Sequence, residues 1–89
     1  EQNERDEGDL PIEDAEQWRE MTPEMKSMML EVLDLIGAEG GPRVEKVYVL
    51  KIFFRFENQE IADQLGVNRS TVRLDWEKAC DIARRYSAG

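Results

Sequence analysis

Arg69, Ser70 and Arg73 lie close together in the chain, and Lys78 follows shortly after. Arg69 and Arg73 are four positions apart, so a helix would put both guanidinium groups on one face. A guanidinium is a planar fork of donors that matches two acceptors on a guanine edge, or the oxygens of a phosphate. Ser70 and Thr71 add short hydroxyls that donate or accept. Asn68 in front of them suits a helix N-cap, where free backbone N–H groups also favour an anion. The chemistry on offer is recognition of phosphates and base edges, with no bond made or broken.

The composition agrees. There is no His, which removes the usual general base and the usual metal ligand. Cys80 is the single cysteine, so no internal disulfide forms, and a reducing compartment is the natural setting. Its place beside Ala79, near an apolar stripe, reads as a small buried hydrophobe rather than a reactive thiol. No Gly-rich phosphate loop and no metal-spaced cluster stands in the chain. The many carboxylates read as a solvated face. We therefore expect no enzymatic activity, no cofactor and no metal.

The candidate donors need a scaffold, and residues 58–85 read as one. Asn58 suits the cap of a short helix in which Ile61, Ala62 and Leu65 form an apolar stripe. Gly66 then stands where a helix ends in the left-handed conformation, and Val67 can plug a core from the turn. Behind Asn68, Val72, Trp76, Ala79 and Ala83 repeat with helical period. Ala62 is small enough for two helices to cross closely. A short helix, a three-residue turn and a longer helix make the sequence form of a helix-turn-helix, whose second helix enters the DNA major groove.

Upstream, Thr22-Pro23-Glu24 gives a cap, a proline at the first helical position and an acid in the first turn. Met25, Met28, Met29, Val32, Leu33 and Ile36 follow as one amphipathic stripe, and Gly37 is its expected end. At this spacing the methionines read as core, although Met-rich faces also serve as adaptable binding surfaces. Residues 37–42 read as a flexible connection. Residues 43–56 are apolar on every face and rich in β-branched and aromatic types, which would also suit a strand. Pro42 and the helical neighbours favour a helix buried on most sides. Trp76 reads as core, Asp75 as an internal partner for an Arg, and residues 86–89 as a frayed end.

The chain of 89 residues carries a net charge of −8. Residues 1–57 hold 7 Lys and Arg against 15 Asp and Glu, whereas residues 58–89 hold 5 of each. The acid thus lies outside the proposed reading head, but a neutral head has little of the attraction that drives non-specific DNA binding. Residues 1–20 form an acidic N-terminal segment, expected to be largely disordered over its first ten residues. Ile12, Ala15 and Trp18 recur every three residues, so residues 11–20 are either a short helix docking Trp18 or a loose tail. Residues 21–89 are the expected helical domain. No apolar run approaches the roughly 20 residues that span a bilayer.

From Pro42 to Ala79 the sequence resembles region 4, the C-terminal domain of extracytoplasmic-function-type bacterial sigma factors. That family shows a Pro-Arg start, matched by Pro42-Arg43, then Glu-Ile-Ala at Glu60 to Ala62 and Leu-Gly-Val at Leu65 to Val67. Its Thr-Val-Lys-Arg-Asp-Trp string, the most specific part, stands here as Thr71-Val72-Arg73-Leu74-Asp75-Trp76. Two departures are visible. Leu74 replaces a base, and Phe54-Arg55 stands where the family turns on Gly-Gly. The resemblance implies an all-α fold, a small bundle of about four helices containing the helix-turn-helix. It also implies binding of the upstream (−35) element of promoter DNA together with the β-flap of RNA polymerase core, in the bacterial cytoplasm, with an anti-sigma protein as a further candidate partner.

On that reading Asn68, Arg69, Ser70, Thr71 and Arg73 meet bases and phosphates, and Lys78 reaches a phosphate farther along. The plainer reading leaves Arg69 and Arg73 in solvent, paired with Asp75 and Glu77, and makes Thr71 a packing residue under the turn. The alternative function is an acidic module of the same fold that binds RNA polymerase or an anti-sigma regulator without reading DNA. The acidic first half, the Met-rich helix and Leu74 favour that alternative.

Overall fold

The computed structural model describes residues 11–88; the acidic stretch before Pro11, expected to be disordered, lies outside them. Among the described residues there are five α-helices, a single 3-10 turn at Ile12–Asp14, and no strand. The helices are α1 (Glu16–Arg19), α2 (Pro23–Gly40), α3 (Pro42–Ile52), α4 (Asn58–Leu65) and α5 (Arg69–Ala88). The result is a small all-α bundle.

α2 begins as its sequence dictates. Thr22 Oγ1 accepts the Met25 N–H at 3.1 Å, and Pro23 occupies the first turn, where no N–H is needed. Its stripe buries Val32, Leu33 and Ile36 and half-buries Met29. Met25 and Met28 precede the part of the helix that packs and remain exposed, so the methionine stripe is core only in part.

The helix does not stop at Gly37. It runs on to Gly40, with the Gly41 N–H bonded to the Gly37 carbonyl at 2.9 Å. The two glycines inside this extension serve close approach rather than chain flexibility. The Glu45 side chain lies over Gly37, and Val44 lies over Gly40. The break comes at Gly41, whose φ of 97° suits a residue without Cβ, and Pro42 opens α3 at once.

α3 is a helix, not a strand, and its position explains its apolar surround. It packs on α2, α4 and α5, so more than one face needs apolar cover. Val44 and Tyr48 join Val32, Leu33, Ile36, Ala79 and Ile82 in one core cluster between α2, α3 and α5. Val47 and Leu50 join Ile61, Ala62 and Val72 in a second, between α3, α4 and α5. Trp76 packs against both clusters and stacks on Tyr48, with ring centroids 5.7 Å apart.

Of the two arrangements open for residues 11–20, the structure has the docked one. Ala15 and Trp18 are buried with Phe53, and the Trp18 and Phe53 rings meet edge to face at 5.8 Å. This seating brings Glu16, Gln17 and Glu20 to the rim of a depression that Phe53 and Arg55 also line.

Polar ties complete the frame. Arg43 Nε donates to Asp75 Oδ2 at 2.6 Å, which is the internal Arg partner expected for Asp75. At the far end of α5, Arg85 Nη2 donates to Glu39 Oε1 at 3.0 Å, and the Tyr86 hydroxyl donates to Glu31 Oε1 at 2.6 Å. These bonds to α2 hold α5 helical to Ala88, where a frayed end was expected.

Candidate nucleic-acid interface

α4 starts one residue earlier in its capping than the sequence reading assigns. Glu57, not Asn58, is the N-cap, and Glu57 and Glu60 form a capping box in which the Glu57 N–H donates to Glu60 Oε1 at 2.8 Å. Asn58 is instead the first helical residue. Its Oδ1 is buried and has no hydrogen-bond partner.

The turn into α5 follows the sequence closely. Gly66 is left-handed at φ 70°, ψ 34°, and the Val67 N–H closes back on the Ala62 carbonyl at 3.0 Å. Residues 66–68 make the connection, and α5 begins at Arg69. Val72 is fully buried against Ile61 and Ala62, so the inner side of the first turn of α5 is anchored on α4.

The outer side of that turn carries the candidate donors. Asn68, Arg69, Ser70 and Arg73 are exposed and line one depression together with Asn58. Thr71 is half-buried and does not line it. Lys78 is exposed but stands nine positions beyond Arg69, about 180° around the helix from it at 100° per residue, and does not line the depression. Arg73 Nη1 donates to Glu77 Oε2 at 2.9 Å, one of the two local pairings considered for it. Asp75 is taken by Arg43. Arg69 is in no ion pair among the described residues. Gln59 at the start of α4 bonds Asp63 at 3.0 Å.

A second depression adjoins the first and shares Asn58 and Arg69 with it. Lys51, Arg55, Phe56, Glu57 and Gln59 line the rest. Lys51 and Arg55 were not among the candidates. They are four apart, but α3 shows no single polar face in sequence, and a link position for Arg55 does not by itself reveal that it lies beside Arg69. Lys51 Nζ also sits 5.6 Å from the centre of the Trp76 ring.

Cys80 is half-buried, and burial raises its thiol pKa, which keeps it protonated and poorly nucleophilic. Among the described residues no group of three His, Cys, Asp or Glu is placed to hold a metal ion, and no helix is long and apolar enough to cross a membrane. Comparison with protein-family models, with curated proteins and with solved structures finds no match to the chain.

Proposed function

We propose that the chain binds promoter DNA through the first turn of α5, in the manner of a sigma-factor region 4, and acts there with RNA polymerase. The observation that carries this reading is the placement of Asn68, Arg69, Ser70 and Arg73. They stand exposed around one depression at the start of a helix whose inner side is locked by Val72. Side chains there reach base edges while the helix start faces phosphate. The Arg73–Glu77 pair is exposed on both sides, and such pairs contribute about 0.3–0.5 kcal/mol, so Arg73 is easily released to a base. The near-neutral charge of residues 58–89 supports a head placed on DNA by polymerase rather than one that finds its site alone.

The test is a promoter duplex titrated with the chain in the presence of polymerase core. Arg73→Ala is expected to cost about 1–3 kcal/mol of binding and to relax sequence preference. Unchanged affinity and preference in that variant would remove Arg73 from the interface.

A second reading is favoured by a specific observation. Met25, Met28, Leu30, Leu35 and Leu74 are large apolar side chains left exposed. They suit a module that binds polymerase or an anti-sigma regulator without touching DNA. Retained polymerase binding with no duplex binding at low salt would decide for it.

A further inference from the structure

Lys51, Arg55 and Arg69 come from three places in the chain and line one groove. They belong to the last turn of α3, the turn after it and the first residue of α5. None of them is in an ion pair among the described residues. In a chain with 20 acids and 12 bases, cations grouped without an acid partner call for a cause. Glu57 is the one acid lining the groove, and it is engaged at the helix start in the capping box.

Two further observations point into the same place. Arg55 has a φ of 60°, in the left-handed region that a residue with a Cβ enters only at a cost. Such a conformation kept in a non-glycine residue points to a use for its side chain. Asn58 lies where the groove meets the depression of Asn68, Ser70 and Arg73, and its buried Oδ1 has no partner. The amide of the same side chain also carries two N–H donors.

We infer that this groove binds a phosphate group, with Lys51, Arg55 and Arg69 supplying the charge and Asn58 a donor. The inference rests on the DNA reading for its source. On that reading the phosphate belongs to the duplex backbone beside the bases that face Arg73. Arg69, which lines both depressions, is then a phosphate contact, and the interface extends from α5 to the end of α3.

The experiment uses the full chain, isotopically labelled, titrated separately with a random-sequence duplex at low salt and with inorganic phosphate. Shifts in the backbone signals of Lys51, Arg55, Asn58 and Arg69 are expected with both. The double variant Lys51→Ala, Arg55→Ala should bind the duplex about tenfold more weakly, with a slope of log affinity against log salt smaller by about 1. Arg55→Gly separates binding from folding, because it removes the cation while relieving the backbone. It should melt higher than the parent yet bind the duplex more weakly. Parental affinity and salt slope in the double variant, with Arg73→Ala still impaired, would overturn the groove and leave the DNA reading standing. If no duplex binds the parent chain, the DNA reading falls. Phosphate-induced shifts at these four residues would then assign the groove to a phosphate from another source, and their absence would overturn it.

Discussion

Arg43 and Asp75, 32 residues apart, are joined by two contacts, Nε to Oδ2 at 2.6 Å and Nη2 to Oδ1 at 3.4 Å. The pair ties the first turn of α3 to the middle of α5, and its two ends are unequally exposed. Asp75 is 7% exposed, whereas the Arg43 side chain is 53% exposed. Arg43→Ala leaves a buried carboxylate without its partner and should cost about 1–3 kcal/mol. Asp75→Asn keeps the shape and leaves Arg43 to water, so its loss should be smaller. Denaturant titration at neutral pH measures both, and equal losses would contradict the asymmetry.

Arg55 carries a left-handed φ of 60° in the turn between α3 and α4. Arg55→Gly should stabilise the fold by about 1 kcal/mol, since glycine enters this region without the Cβ clash. In a domain of this size that raises the melting temperature by about 4–8 °C. A lower melting temperature would show that the Arg55 side chain contributes more to folding than its backbone detracts.

Much of the scaffold follows from punctuation in the sequence. Thr22-Pro23 and Gly66 each fix a helix end because few other residue types satisfy the local geometry. Gly37 misleads for a physical reason. A glycine within a helix also admits a neighbour, and the neighbours here, the side chains of Glu45 and Val44, come from α3. The α4 cap misleads because Asn is the better intrinsic cap, yet Glu60 three residues after Glu57 fixes the start one position earlier. The donors of α5 were readable because they sit on one helix with a clear period. Lys51 and Arg55 were not, because their closeness to Arg69 exists only after α3 and α5 pack.

Burial raises the Glu45 carboxyl pKa above its ordinary value, and the charge of Asp34 adds to the shift. A carboxyl with a folded pKa above its unfolded one binds its proton more tightly when folded. Its ionised form therefore weakens the fold at neutral pH, and the penalty fades as pH falls through the folded value. Glu45→Gln should be more stable than the parent at neutral pH, with the difference closing below the ordinary carboxylate range. Melting curves across that range check the sign, and a gap that widens on acidification would refute it.

Trp18 is buried against Phe53 although it belongs to a four-residue helix that could not persist alone. Trp18→Ala should cost about 3–5 kcal/mol, as large aromatic truncations in cores do. Tryptophan fluorescence separates the two tryptophans in this variant, because Trp76 alone remains. Unaltered stability would mean that residues 11–19 are not part of the cooperative unit.

Leu74 is 57% exposed and adjoins Arg73 on α5. Leu74→Arg should change stability by no more than about 0.5 kcal/mol. On the DNA reading it should also strengthen duplex binding at low salt and steepen its salt dependence. Binding that does not respond to this added charge would place the duplex elsewhere on the molecule.

The seating of Trp18 also sets the electrical surroundings of a residue far along the chain. Glu16 and Glu20 line one depression with Arg55 without forming an ion pair with it, and Arg55 also lines the groove. An incoming anion is attracted by that cation and repelled by the two carboxylates nearby. The strength of the groove is therefore governed partly by a segment some forty residues upstream, and undocking that segment would take two negative charges away from Arg55 as well as uncover Phe53.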